Sequence, residues 1–191
     1  MFFTKSESPQ CASLSELCLD FLTRNLSAVP EAQCCALPPS LVESVISRIG
    51  SQLTHSQLIR VPPGSLSSIS LNNRANEDWL IHLTTQPLTT LSLSNTANLT
   101  SADAVYIREL LRLRTLKITD SPKIVEGLFQ TNSSWPTNTA HPSSSLVISS
   151  SSLTHLSLVN SKVTDRIVRA ICNCSMLQDS LTSLDVGGNH E

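Results

Sequence analysis

The chain has 191 residues, enough for one domain or a domain with a small added module. Its net charge of -2 comes from 13 basic and 15 acidic side chains without a basic run, which argues against nucleic acid or an anionic membrane surface as partner. Apolar residues make up 40% but aromatics only 4%, so Leu, Ile and Val must fill the core, which suits stacked small layers better than one large globule.

The start, Met1-Phe2-Phe3-Thr4-Lys5-Ser6-Glu7, carries no long apolar run, and no later stretch approaches the length of a membrane span. A soluble intracellular chain, cytoplasmic or nuclear, is expected. The first element is a helix. Ser13 is its N-cap, and Glu16, three residues on, completes a capping box. Leu14, Leu17, Cys18, Phe21 and Leu22 then recur on one helical stripe, while Glu16, Asp20, Thr23 and Arg24 fall outside it. A small apolar Cys in mid-stripe suits a helix laid into a tight groove. A loop with Pro30 follows. Pro38 and Pro39 open a second helix, since proline is tolerated in a first turn. Leu41, Val42, Val45, Ile46 and Ile49 form its apolar stripe, and Gly50 stops it.

From Leu66 onward the chain resembles itself. The pattern L-x-x-L-x-L starts at Leu66, Leu88, Leu113, Leu153 and Leu181, with spacings of 22, 25, 40 and 28 residues. The last copy, Leu181-Thr182-Ser183-Leu184-Asp185-Val186-Gly187-Gly188-Asn189, keeps a full L-x-x-L-x-L-x-x-N. This is the signature of leucine-rich repeats. In L-x-L both apolar residues point to one face of a short strand, so Ser70, Ser92, Lys117, Ser157 and Asp185 between them point outward. The Asn position, whose side chain satisfies turning backbone, is held by Arg74, Thr96, Ser121, Ser161 and Asn189. Thr and Ser can partly replace the amide, whereas Arg74 cannot, which makes the first repeat irregular.

Helix-start signals follow the strands. Asn76-Glu77-Asp78 precedes Trp79, Leu80 and Leu83. Thr100-Ser101-Ala102-Asp103 precedes Ala104, Ile107, Leu110 and Leu111. Thr164-Asp165 precedes Ile167, Val168, Ile171 and Met176. The expected fold class is therefore α/β: a leucine-rich-repeat solenoid, curved as a horseshoe over residues 56–191, preceded by a small helical module over residues 1–55. An insertion rich in Ser, Thr, Asn and Pro, near 130–152, cannot bury a core and is expected to be a mobile loop. Its Trp135 suits either a contact anchor or local packing. No helix or polar cap follows the last strand, so a further part of the protein is expected beyond Glu191.

The two N-terminal blocks carry a family resemblance. Leu14-x-x-x-Cys18-x-x-x-Leu22 resembles the BC box that binds elongin C. Leu37-Pro38-x-x-Leu41-x-x-x-Val45 resembles the cullin-2 box that follows it in VHL-box receptors. In series ahead of leucine-rich repeats, they resemble the N-terminal half of the zyg-11/zer-1 family, substrate receptors of cullin-2 RING ubiquitin ligases. The resemblance implies an elongin C contact through Leu14, Leu17, Cys18, Phe21 and Leu22, with Leu14 entering the pocket and elongin B bound alongside. It implies a cullin-2 contact through Leu37, Pro38, Leu41 and Val45. A cullin-5 box wants L-P-apolar-P, and Leu37-Pro38-Pro39-Ser40 lacks the fourth-place Pro. The family's armadillo-like repeats, which bind amino-terminal glycine degrons in some members, have no counterpart here. The implied third partner is a protein substrate of unknown identity. Two amphipathic helices also suit a plain cap on the first repeat, with no ligase link.

No catalytic constellation stands out. His55, His82, His141, His155 and His190 have no patterned Ser, Cys or Asp partner. Five glycines are too few for phosphate-cradling loops, so no cofactor is expected. Cys11, Cys18, Cys34, Cys35, Cys172 and Cys174 lack the paired spacing of a zinc site, so no metal is expected and the thiols read as free or buried. The four N-x-S/T tripeptides, at Asn25, Asn98, Asn132 and Asn173, read as chance. A non-catalytic subunit is the expectation.

Overall fold

The computed structural model describes residues 13–129 and 152–189. The insertion with Trp135 lies outside them, as do Cys11, Asn132, His141 and His190, and the side chain of Met176. Four helices come first: α1 (Leu14–Asn25), α2 (Glu31–Cys34), α3 (Pro39–Ile49) and α4 (His55–Leu58). Strands then alternate with helices: β1 (Ser68–Leu71), α5 (Glu77–Leu83), β2 (Thr90–Ser94), α6 (Ala104–Arg108), β3 (Thr115–Thr119), α7 (Pro122–Phe129), β4 (His155–Val159), α8 (Asp165–Cys172), α9 (Ser175–Ser180) and β5 (Ser183–Asp185). The strands form one parallel sheet in sequential order, β1-β2-β3-β4-β5. The coarse expectation of an α/β fold is met.

The register follows the repeat spacing. Ser68 pairs with Thr90, Thr90 with Thr115, Thr115 with His155, and His155 with Ser183. Consequently Ile69, Leu91, Leu116, Leu156 and Leu184 form one cross-strand column, and Leu71, Leu93, Ile118 and Leu158 another. All but Leu184 are buried, and each contributes about 1.5–3 kcal/mol by leaving water. Trp79, Leu80 and Leu83 of α5, Ala104 and Ile107 of α6, and Ile124, Val125 and Leu128 of α7 belong to the same core. That cluster runs unbroken from Leu26 to Leu177, so the helical start and the sheet share one interior. Leu111, expected to face inward, is exposed: α6 ends at Arg108, which takes Leu111 out of helical phase.

Buried polar groups link one unit to the next. The Thr96 N–H and hydroxyl both donate to Ser121 Oγ, at 3.0 and 2.8 Å. The Ser121 N–H donates to Ser161 Oγ at 3.3 Å, and the Ser161 N–H donates to Asn189 Oδ1 at 2.7 Å. Each rung follows a residue with left-handed backbone: Asn95 (φ 52°), Asp120 (φ 52°), Asn160 (φ 50°) and Gly188 (φ 71°). Asn, Asp and Gly are the residues that adopt this conformation at least cost. In the first unit Arg74 is exposed and joins no such chain. Ser121→Ala would orphan two buried donors of Thr96, at a cost of about 2 kcal/mol. An unfolding free energy lower by that amount, read from urea titration as a lower midpoint, is expected, and an unchanged midpoint would show the hydroxyl chain to be incidental.

The joint between the helical start and the sheet holds two histidines. His55 stacks on buried Trp79, with ring centroids 6.2 Å apart. His82 has no hydrogen-bond partner at Nε2 among the described residues. Burial pushes its imidazole below the ordinary value of 6.5; a hydrogen bond to the Val61 backbone opposes this, and a cationic His55 adds to it. A folded-state value below the unfolded one means that protonation favours unfolding. The contribution is complete above pH 6.5 and is lost as the pH falls from there toward the folded-state value. Tm is therefore expected to drop between about pH 7 and pH 5, and His82→Gln should flatten that slope. Equal slopes for the two proteins would exclude His82 as the cause.

Candidate docking surface

Local chemistry fixes α1. The Ser13 N–H donates to Glu16 Oε2 at 2.8 Å, and the Glu16 N–H donates to Ser13 Oγ at 3.3 Å, so the capping box is formed. The Ser13 backbone bond, followed by its hydroxyl bond, holds the Glu16 carboxyl below its ordinary value. Glu16 in the first turn and Arg24 in the last both match the helix dipole.

The helix has no fully buried residue. Leu19 and Leu22 pack against the core, and α1 lies along α3. Asp20 and Arg48 tie the two helices with an ion pair at 3.0 Å, both side chains nearly half exposed. Such a pair contributes under about 1 kcal/mol, so apolar contact by Leu19 and Leu22 does most of the holding. The opposite side is apolar and open. Leu14 is 78% exposed, Leu17 55% and Phe21 63%, with Cys18 exposed among them. At about 100° per residue these four share one face, and Leu22 falls at its edge beside Leu19. The stripe read from the sequence is thus divided: Leu14, Leu17, Cys18 and Phe21 face solvent, while Leu22 is part of the seat.

The second box divides in the same way. Pro38, exposed, caps the N-terminus of α3, with Pro39 in the first turn. Gly50 closes the helix at φ 53°, its N–H donating to the Ile46 carbonyl. Leu37 and Leu41 are half-buried. Val45 is 1% exposed, so the expectation that it faces a partner is corrected: it packs in the core with Val42, Ile46 and Ile49. The spacing could not separate these roles, because the stripe that α3 buries is wide enough to take in Val45.

A further concavity lies between α3 and the outward face of the sheet. It measures about 460 Å³, and its lining includes Glu43 of α3, Ser70 of β1, Ser92 of β2 and Lys117 of β3. Sequence reading placed Ser70, Ser92 and Lys117 outward but had no signal that α3 walls them on one side. That position is set by Glu43, whose carboxylate accepts bonds from the Ser67 N–H and hydroxyl beside β1. Among the described residues, no group of three or more His, Cys, Asp or Glu is placed to hold a metal ion. Nor is any helix among them long and apolar enough to cross a membrane. In comparisons with protein-family models, curated proteins and solved structures, nothing matches this chain.

Proposed function

We propose that the chain is a leucine-rich-repeat solenoid acting as a non-catalytic substrate-receptor subunit of a cullin-2 RING ubiquitin ligase. The solenoid part rests on repeat spacing that equals strand register, and on the chain of hydroxyl and amide bonds from Thr96 to Asn189. The docking part rests on one observation above all. Leu14, Leu17, Cys18 and Phe21 form an exposed apolar face on a helix already seated by its other side. Large apolar side chains clustered in water mark an interaction site, and this one has the i, i+3, i+4, i+7 spacing of a helix laid into a groove. In this reading elongin C, with elongin B, covers that face. Cullin-2 meets Pro38 and Leu41 at the start of α3, and a protein substrate is held elsewhere on the chain.

The inward seating of Leu22 and Val45 favours a second role for the same helices, closing the β1 end of the sheet. The two roles use different faces and are compatible. Co-purification with elongin B/C and cullin-2 tests the proposal. Wild type should capture both. Pro38→Ala with Leu41→Ala should lose cullin-2 and retain elongin C. A folded wild-type chain that captures neither would leave a plain repeat scaffold with helical caps.

A further inference from the structure

The concavity between α3 and the sheet has a composition that points to a ligand. Ser47 of α3 and Ser68, Ser70, Thr90 and Ser92 of the strands line it. None of these five hydroxyls has a hydrogen-bond partner among the described residues. Their neighbours behave differently: Ser44, Ser65, Thr89 and Ser94 each donate to a backbone carbonyl, of Ser40, Pro62, Ser67 and Leu71 respectively. Free donors and acceptors therefore collect inside the groove, and its volume of about 460 Å³ is in the range of ligand sites.

Charge narrows the choice. The Glu43 carboxylate accepts from Ser67 and keeps its negative charge at the α3 wall. Lys117 has no ion-pair partner among the described residues, so its ammonium is the unpaired cation of the groove lining. Glu43 at the α3 wall and Asp185, two strands further along the same outward row, flank Lys117, so the groove accepts a single acidic group, at Lys117. No aromatic side chain lines the groove, so it offers no stacking platform for bases or sugar rings. One cation is too few for a phosphate backbone. An extended peptide fits: its alternating N–H and C=O groups match hydroxyls that both donate and accept, and the small floor lets a backbone approach.

We propose that this groove binds an extended segment of a partner protein that carries one Asp or Glu side chain paired to Lys117, with the segment's backbone hydrogen-bonded by the Ser and Thr hydroxyls. The inference does not rest on the scaffold-docking proposal, because it uses other residues and its test uses the chain alone.

The test is selection of random heptapeptides displayed on phage against the whole chain, followed by affinity measurement on the enriched peptides. Enrichment of Asp or Glu at one position is expected. Lys117→Glu should weaken those peptides by about tenfold or more. Ser92→Trp, which fills the floor, should abolish binding, with circular dichroism confirming that both variants are folded. Lys123→Glu, the same charge change on the exposed face of α7, should leave affinity unchanged. No enrichment, enrichment of neutral or basic peptides, or equal binding by Lys117→Glu would each overturn the proposal.

Discussion

Leu14→Ala combined with Phe21→Ala is expected to weaken binding to an elongin B/C complex by about a hundredfold while leaving the unfolding midpoint unchanged. Both side chains are mostly exposed, at 78% and 63%, so their burial remains to be gained in a complex. Full burial of such a side chain is worth roughly 1.5–3 kcal/mol, so losing most of two gives about 3 kcal/mol, or about two decades in Kd. The same exposure means that truncation costs the isolated fold under about 0.5 kcal/mol. A pure capping role predicts no binding of elongin B/C even by wild type, and places the stability contribution of α1 on Leu19 and Leu22, which pack against the core. Calorimetric titration together with thermal melts separates the two readings. A stable double variant that still binds elongin B/C like wild type would remove α1 from the docking surface.

Gly127→Ala is expected to be the most damaging single-methyl change in the sheet units. Gly127 is buried in α7, where an added Cβ would lie 2.1 Å from the Ser101 carbonyl oxygen and 2.8 Å from the Ser101 Cα. These are backbone atoms, so no side chain can swing aside. Either α7 or the loop before α6 must move, and both carry buried core residues: Ile124, Val125 and Leu128 on one side, Ala104 and Ile107 on the other. Overpacking of this kind costs about 3 kcal/mol, which for a chain of this size lowers Tm by roughly 6–12 °C. A melt within about a degree of wild type would mean that α7 sits further from Ser101 than described.

Much of the architecture was legible in the sequence because its causes are local or periodic. The Ser13–Glu16 capping box, the Pro39 start and Gly50 stop of α3, and the Asn76 cap of α5 depend on residues within one turn of each other. Strand phase was legible because L-x-L places two side chains on one face whatever the neighbours do, and copying that pattern makes one column per position. The left-handed residues Asn95, Asp120 and Asn160 went unread, though Asn or Asp just after each strand is the signal that finds them.

The two longer N-terminal helices, α1 and α3, were legible only as stripes. Periodicity shows that Leu14, Leu17, Cys18, Phe21 and Leu22 share a side of α1, but a stripe is silent on what covers it. Leu22 turns to the core and Phe21 to solvent because α3 lies against one edge of the stripe, and α3 is placed in turn by its packing and by Glu43 at Ser67. Val45 and Leu111 were misplaced for related reasons: one falls within a wide buried face, and the other lies past a helix end.

By itself, then, the sequence determined the strands, their phase, the helix caps and the apolar stripes of α1 and α3, because these follow from hydrogen bonds and side-chain periods within a few residues. Only the tertiary structure decided which edge of each stripe is spent on the core, that Thr96, Ser121, Ser161 and Asn189 bond across units, and that α3 and the outward hydroxyls enclose a groove. Those outcomes depend on residues 20 or more positions apart meeting in space, as Ser67 meets Glu43 and Ser121 meets Thr96. No local pattern encodes such meetings; the packing of the shared core brings them about.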